Sequence, residues 1–267
     1  MRTAVLFFGE VRGCEENWKR LSELLVIPNN ADVFIHGYKY TDEIITRKIK
    51  ENESYLLIIK NKGIHKTPPK SLHTIFSPKS SIFEYPPTYE KTEMSDLIIK
   101  IAHANTRDWF ADYTGYNAIK NQLYSRKKVI ELKVKYELDN GFTYDNVILT
   151  RLDFNITNKI MFSDKLTAIK VKIWHYSKIA EQILAGCNDH INVIKNMFDV
   201  SDALYLQNCA NRHFMENEFY TWLFLYVNGI PMEDHDFGSD YRDGKNGLLR
   251  YDKDFLDIGE TCNILPR

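Results

Sequence analysis

The sequence predicts an α/β protein built on a mostly parallel central sheet flanked by helices. Two observations carry that expectation. Short apolar runs alternate with helical patterns along most of the chain, the order that gives parallel strands joined by crossovers. The runs are also apolar on both faces, as strands covered by helices on each side must be.

Taken in order, "TAVLFFGEVRG" at residues 3–13 reads as a fully apolar strand stopped by Gly9. "CEENWKRLSELLVIP" supplies the helix that should follow: Trp18, Leu21, Leu24 and Leu25 recur at helical spacing and Pro28 ends the run. "ADVFIHGY", residues 31–38, is a second apolar strand. The first 40 residues therefore form one β-α-β unit, with parallel strands and a right-handed crossover.

"EIITRKIKENESYLLIIKN" reads as a helix and then a strand. The stretch that follows gathers most of the eight prolines with many Ser, Thr and Lys, and reads as a surface insertion over about residues 60–95 of a single domain spanning 1–267. Helical patterning returns at Ser95 and continues through "YNAIKNQLYSRKKVIELKVKYELDNG", whose expected buried stripe is Leu123, Val129, Leu132, Tyr136 and Leu138. "YDNVILTRLDF" is a buried strand ending on Arg151 and Asp153. Beyond it, "LTAIKVKIW" and "DALYLQN" read as strands, "INVIKNMF" and "ENEFYTWLFLYVNG" as helices, and "GIPMEDHDF" as a last strand or loop.

Composition narrows the function. A 267-residue chain that is 44% hydrophobic and 27% charged supports one sizeable core. Its 35 basic and 36 acidic residues leave a net charge of -1, so no overall field favours nucleic acid or an anionic membrane. Four widely spaced cysteines include no CxxC pair and suit a reducing compartment. "AVLFF" is too short for a signal or a membrane span, and the expected location is the cytoplasm.

Open α/β sheets bind ligands beyond the carboxyl ends of their strands. There the first strand delivers Gly9, Glu10, Arg12 and Gly13, the second His36 and Gly37, and "YDNVILTRLDF" delivers Thr150, Arg151 and Asp153. Arginine's planar fork suits phosphate oxygens, and glycine lets backbone approach an anion. A carboxylate such as Asp153 beside a diphosphate implies a divalent cation between them, Mn²⁺ or Mg²⁺. Neither GxGxxG nor GxxxxGK[ST] is present, so a dinucleotide fold or a P-loop has no motif support.

"FFGEVRGCEENW", "NNADVFIHGY", the helix leading to "YDNVILTRLDF" and "SDALYLQN" together resemble, in that order, a broad family of cytosolic glycosyltransferase-like proteins from bacteria and large DNA viruses. The resemblance covers roughly residues 4–40 and 115–230, and a viral member would work in the host cytoplasm. It implies a GT-A-like (Rossmann-like) fold and transfer of a monosaccharide from a nucleotide diphosphate sugar to a glycan or glycoprotein. Carried over by position, Gly9, Glu10 and Arg12 would meet the nucleotide diphosphate, Asp32 and His36 the nucleoside, and Gln122 the donor pocket. Arg151 with Asp153 would hold diphosphate and metal, and Asp202 would point at the sugars. The chain departs from the family after Asp202, where "DALYLQNCANRHF" stands in place of a small-residue turn.

Asp202 is the first choice of base for an inverting transfer, with Glu216 and Glu218 as rivals whose place in a first helical turn is equally explained by the helix dipole. "EDHDFGSDYRDG" holds Asp234, His235 and Asp236; it reads as a solvated loop, with His235 and Asp236 as reserve metal ligands and Arg242 and Arg250 as late diphosphate clamps. Two other readings use the same residues: a phosphosugar transferase or nucleotidyltransferase, and a non-catalytic nucleotide-sugar or carbohydrate-binding module.

Overall fold

A computed structural model describes residues 1–45, 65–105, 113–175, 178–179, 182–207 and 217–237. Strand β1 (Thr3–Glu10) leads into helix α1 (Glu15–Leu21), which continues through a wide turn at Ser22–Val26 and a tight one at Ile27–Asn29. Asn30, at φ 45°, ends it in the left-handed conformation that short polar side chains tolerate. Strand β2 (Asp32–Tyr38) then lies parallel to β1, as the apolar patterns require.

The proline-rich stretch does more than loop over the surface. Helix α2 (Lys70–Phe76) starts just after Pro69, and Ser77 at φ 43° stops it. Strand β3 (Ser80–Glu84) follows and pairs in parallel with β2, so this part of the insertion completes a second crossover and forms the edge of the sheet. Its polar, half-buried sequence is what an edge strand carries, and that is why the residues read as loop.

Helices α3 (Glu93–Asn105) and α4 (Tyr113–Asn140) come next. The 28 residues of α4 span about 42 Å at 1.5 Å each. Its buried side chains are Tyr116, Ile119, Lys120, Leu123, Ser125, Arg126, Val129, Ile130, Lys133 and Glu137, whereas Leu138 is 77% exposed. Leu123 and Val129 are buried as expected and Leu132 and Tyr136 pack partly buried against the core, while charged residues also turn inward, Lys133 paired with Glu137 and Arg126 bonded to Thr221. Strand β4 (Asn146–Arg151) pairs in parallel with β1, followed by β5 (Ile169–Val171) and the small ribbon of β6 (Ile173–His175) with β7 (Lys178–Ile179).

Strand β8 (Ile183–Cys187) runs antiparallel between β4 and β5. Helices α5 (Asn188–Ile194), α6 (Met197–Gln207) and α7 (Asn217–Val227) and strand β9 (Met232–Asp234), parallel to β5, complete the described chain. The strand expected at "DALYLQN" is therefore helical. Ser201, Leu204 and Tyr205 are its buried residues, at the i, i+3, i+4 spacing of a helix face.

The sheet order is β3-β2-β1-β4-β8-β5-β9, with β8 alone reversed. Val5, Phe7, Ile148, Trp18, Leu25 and Leu72 form the core on one face. Ala4, Leu6, Phe8, Leu149, Val129 and Ile130 form it on the other. The result is a mostly parallel mixed sheet between helical layers, Rossmann-like in its β3-β2-β1-β4 half. No helix among the described residues is long and apolar enough to cross a membrane.

Candidate functional site

The chain leaves β1 toward β2 on one side and returns to β4 on the other, so the junction of β1 and β4 is a topological switch point, where such sheets open a crevice. The loop after β1 fills it. Gly9 takes φ 99° and its N–H donates to Ser125 Oγ at 2.7 Å; Gly13 takes φ 96°. Both conformations favour glycine. Trp18 Nε1 donates to the carbonyl of Arg12 at 3.1 Å and Asn17 Nδ2 to that of Leu152 at 2.9 Å, which ties this loop to the exit of β4.

Four charged side chains meet there. Arg151 grips Asp153 with two parallel hydrogen bonds, Nε to Oδ1 and Nη2 to Oδ2, each 2.8 Å. Arg12 Nη1 stands 4.0 Å from Asp153 Oδ2, and its other nitrogen pairs with Glu10. Tyr40 donates its hydroxyl to Glu10 Oε1 at 2.6 Å. A further guanidinium lies beneath. Arg126 is buried 4.9 Å from the centre of the Phe8 ring and donates to Thr221 Oγ1 at 3.0 Å. Burial pulls its pKa down to about 9; nearby Glu218 opposes that shift, and Arg151 adds to it. Glu218 is thus a counter-charge to a buried arginine.

His36 is wholly buried. Its Nδ1 meets Ser125 Oγ at 2.7 Å and its Nε2 meets Glu84 Oε1 at 3.0 Å, so a neutral ring accepting from Ser125 and donating to Glu84 satisfies both nitrogens. Burial holds its pKa below the ordinary value, against the opposing pull of Glu84. An unfolded chain takes this proton near pH 6.5 while the folded one refuses it, so folding stability is full above that pH and declines as pH falls below it. Urea midpoints of the wild type between pH 7.5 and 5 should fall more steeply than those of His36→Gln, which keeps a donor toward Glu84. Equal slopes would remove this role.

The structure brings Gly9, Glu10, Arg12, Arg151 and Asp153 together, with His36 packed below them. It does not bring Asp32 there. Asp32 opens β2, four residues and about 13 Å from His36 at 3.3 Å per residue, and therefore sits at the opposite edge of the sheet. There it accepts from Tyr144 at 2.7 Å and lines a cavity of about 400 Å³ with Arg2, Tyr136 and Phe142. Thr150 is turned to the Gln182 carbonyl at 3.0 Å.

Gln122 and Asp202 stand beyond the carboxyl edge, on the overhanging first half of α4 and on α6. Gln122 accepts from Asn217 Nδ2 at 2.7 Å. Asp202 Oδ1 accepts from Tyr116 at 2.9 Å and from Lys120 at 3.2 Å, mid-helix instead of at a strand opening. His235 and Asp236 follow β9, three strands from β4, which is about 14 Å at the usual strand spacing. Asp234 is committed to the Ile173 amide at 2.9 Å and Lys172 at 3.1 Å, and that backbone bond is the main cause of its lowered pKa. Glu216, Arg242 and Arg250 lie outside the described residues.

A divalent cation needs open carboxylate oxygens. Asp153 is 1% exposed, both its oxygens are taken by Arg151, and a second guanidinium stands beside it. Among the described residues no three His, Cys, Asp or Glu side chains are grouped for a metal ion. This donor set fits guanidinium, not a resident Mn²⁺ or Mg²⁺ at Asp153.

Sequence reading missed Ser125 and Glu84. Ser125 carries a weak signal, a small polar residue beside the apolar positions of α4; Glu84 carries none, since β3 was read as loop. No family model and no curated protein matches this chain, so its functional reading rests on the geometry of the β1–β4 crevice.

Proposed function

We propose that this protein is a GT-A-like glycosyltransferase that moves a hexose or pentose from a nucleotide diphosphate sugar to a hydroxyl of a glycan or glycoprotein. One observation carries the reading: Arg12 and Arg151 converge on Asp153 at the switch point of the sheet, where two guanidinium forks can take the oxygens of a diphosphate.

In the reaction the bond from the anomeric carbon to the diphosphate breaks while the acceptor oxygen bonds to that carbon. Its proton passes to a carboxylate or water. The arginines stabilise negative charge on the departing diphosphate, where oriented donors in a water-poor site contribute most. Glu10 and Asp153 hold the two forks until the diphosphate takes them over. Asp202, whose Oδ1 receives both Tyr116 and Lys120, is the candidate base through its other oxygen.

A thermal-shift panel of UDP-, GDP-, CDP- and dTDP-sugars, with and without Mn²⁺, tests the donor. A ligand at a hundred times its Kd stabilises by about 2.7 kcal/mol. One sugar nucleotide should raise the melting temperature without Mn²⁺, and Arg12→Ala should weaken it about 10- to 100-fold, the usual worth of hydrogen bonds to a charged group. Turnover should release nucleoside diphosphate. Release of nucleoside monophosphate would instead mark a phosphosugar transferase, binding without turnover a non-catalytic module, and no shift with any donor would overturn the reading.

A further inference from the structure

Glu84 ends β3 at the same carboxyl edge as the arginines. By register it lies beside Tyr38, which lies beside Glu10, so two strand spacings of about 4.8 Å place it roughly 10 Å along the edge from the diphosphate grip. Its side chain is 35% exposed, unlike that of Asp153. Glu10 and Asp153 are compensated by guanidinium groups, whereas Glu84 is held by neutral donors. His36 Nε2 bonds Oε1 at 3.0 Å, and the Tyr124 hydroxyl lies near the same carboxylate, which adds to burial in raising the tyrosine's pKa.

That support is rigid. His36 is locked from behind by Ser125, which also receives the Gly9 amide, and the Tyr124 ring stands edge-on to the imidazole with centroids 6.0 Å apart. Aromatic rings lie nearby, with lysines over several of their faces: Lys128 over Tyr124 at 5.6 Å, Lys120 over Phe198 at 4.7 Å and Lys39 over Tyr85 at 4.7 Å. Tyr124 meets Phe198 at 5.5 Å, Tyr89 meets Phe198 at 6.2 Å, and half-exposed Tyr85 follows Glu84 in the chain. A pre-positioned carboxylate amid amphipathic aromatic rings is a setting for sugars: the charge accepts from paired hydroxyls and the rings pack against C–H faces.

We propose that Glu84 and Tyr124 form a sugar-hydroxyl subsite, which under the transferase reading holds the acceptor. A free pyranoside is its expected ligand. The subsite is built from residues of the proline-rich insertion and the middle of α4, and none of them overlaps the arginine grip.

The test uses the whole protein without nucleotide, by saturation-transfer NMR against the methyl glycosides of glucose, galactose, mannose, fucose, rhamnose and xylose. At least one should receive saturation. Glu84→Gln keeps hydrogen-bonding capacity toward His36 and Tyr124, so a merely structural Glu84 would leave the signal unchanged; the subsite requires about a tenfold weaker affinity. Glu84→Asp, which keeps the charge but withdraws it by one methylene, should also weaken binding and covers the case in which the glutamine variant does not fold. Arg12→Ala should leave the glycoside signal intact while it weakens nucleotide binding about 10- to 100-fold. Silence from every glycoside, or equal signals from wild type and the Glu84 variants, overturns the subsite. A silent nucleotide panel overturns the transferase reading alone.

Discussion

Replacing Arg151 with methionine should cost the fold about 3–5 kcal/mol, the penalty for stripping one partner from a buried ion pair. The cause is Asp153. Its carboxylate is 1% exposed and receives two short hydrogen bonds from Arg151, while Arg12 stands 4.0 Å away. Urea unfolding of the purified variant measures the loss, and a change below about 1 kcal/mol would mean that Asp153 finds another partner or water. The double variant Arg151→Met/Asp153→Leu should recover most of the stability, because a buried pair replaced by apolar groups is often neutral. It should remain unable to bind a nucleoside diphosphate, which separates the structural contribution of the pair from its proposed contribution to binding.

Glu137→Ala should be comparably severe, about 3–5 kcal/mol, for a related reason. Lys133 is wholly buried and meets Glu137 Oε2 at 2.9 Å, Asn192 at 2.7 Å and also Asn188. Burial lowers the Lys133 pKa, with Glu137 the principal opposing influence. The other oxygen of Glu137 receives the Tyr144 amide at 2.8 Å, at the entrance to β4, so one carboxylate joins α4 to the central sheet. A double-mutant cycle with Lys133→Met should show strong coupling, the double variant losing much less than the sum. Additive losses would remove the pair from the stability account. Nucleotide binding should survive wherever the protein folds, since these residues serve the amino edge.

The elements of the fold differed in how openly they declared themselves. β1, α1, β2 and β4 were legible because strands buried on both faces must be apolar throughout, and the polar residues that end them stand out. Arg12, Arg151 and Asp153 came from that contrast. β3 was hidden because an edge strand has little to bury, and α6 because a short apolar run fits either period. Asp32 and His36 are neighbours in the sequence but occupy opposite ends of one strand, a separation that motif matching does not register. The inward charges of α4 were missed for a different reason. A stripe is sought among apolar residues, yet Arg126, Lys133 and Glu137 are sheltered by partners on other elements or a turn away, which no spacing rule displays.

The Arg12–Glu10 and Arg151–Asp153 pairs also bear on turnover. A diphosphate arriving at these arginines must outcompete anions already tethered within reach, and tethered groups compete at high effective concentration. In a transferase this would cap the affinity for donor and for spent nucleotide alike. Product departure limits many enzymes whose active sites hold a charged leaving group well. Under the transferase reading the two carboxylates would reclaim their arginines as soon as the diphosphate loosened, and the site would reset itself by an internal exchange of ions.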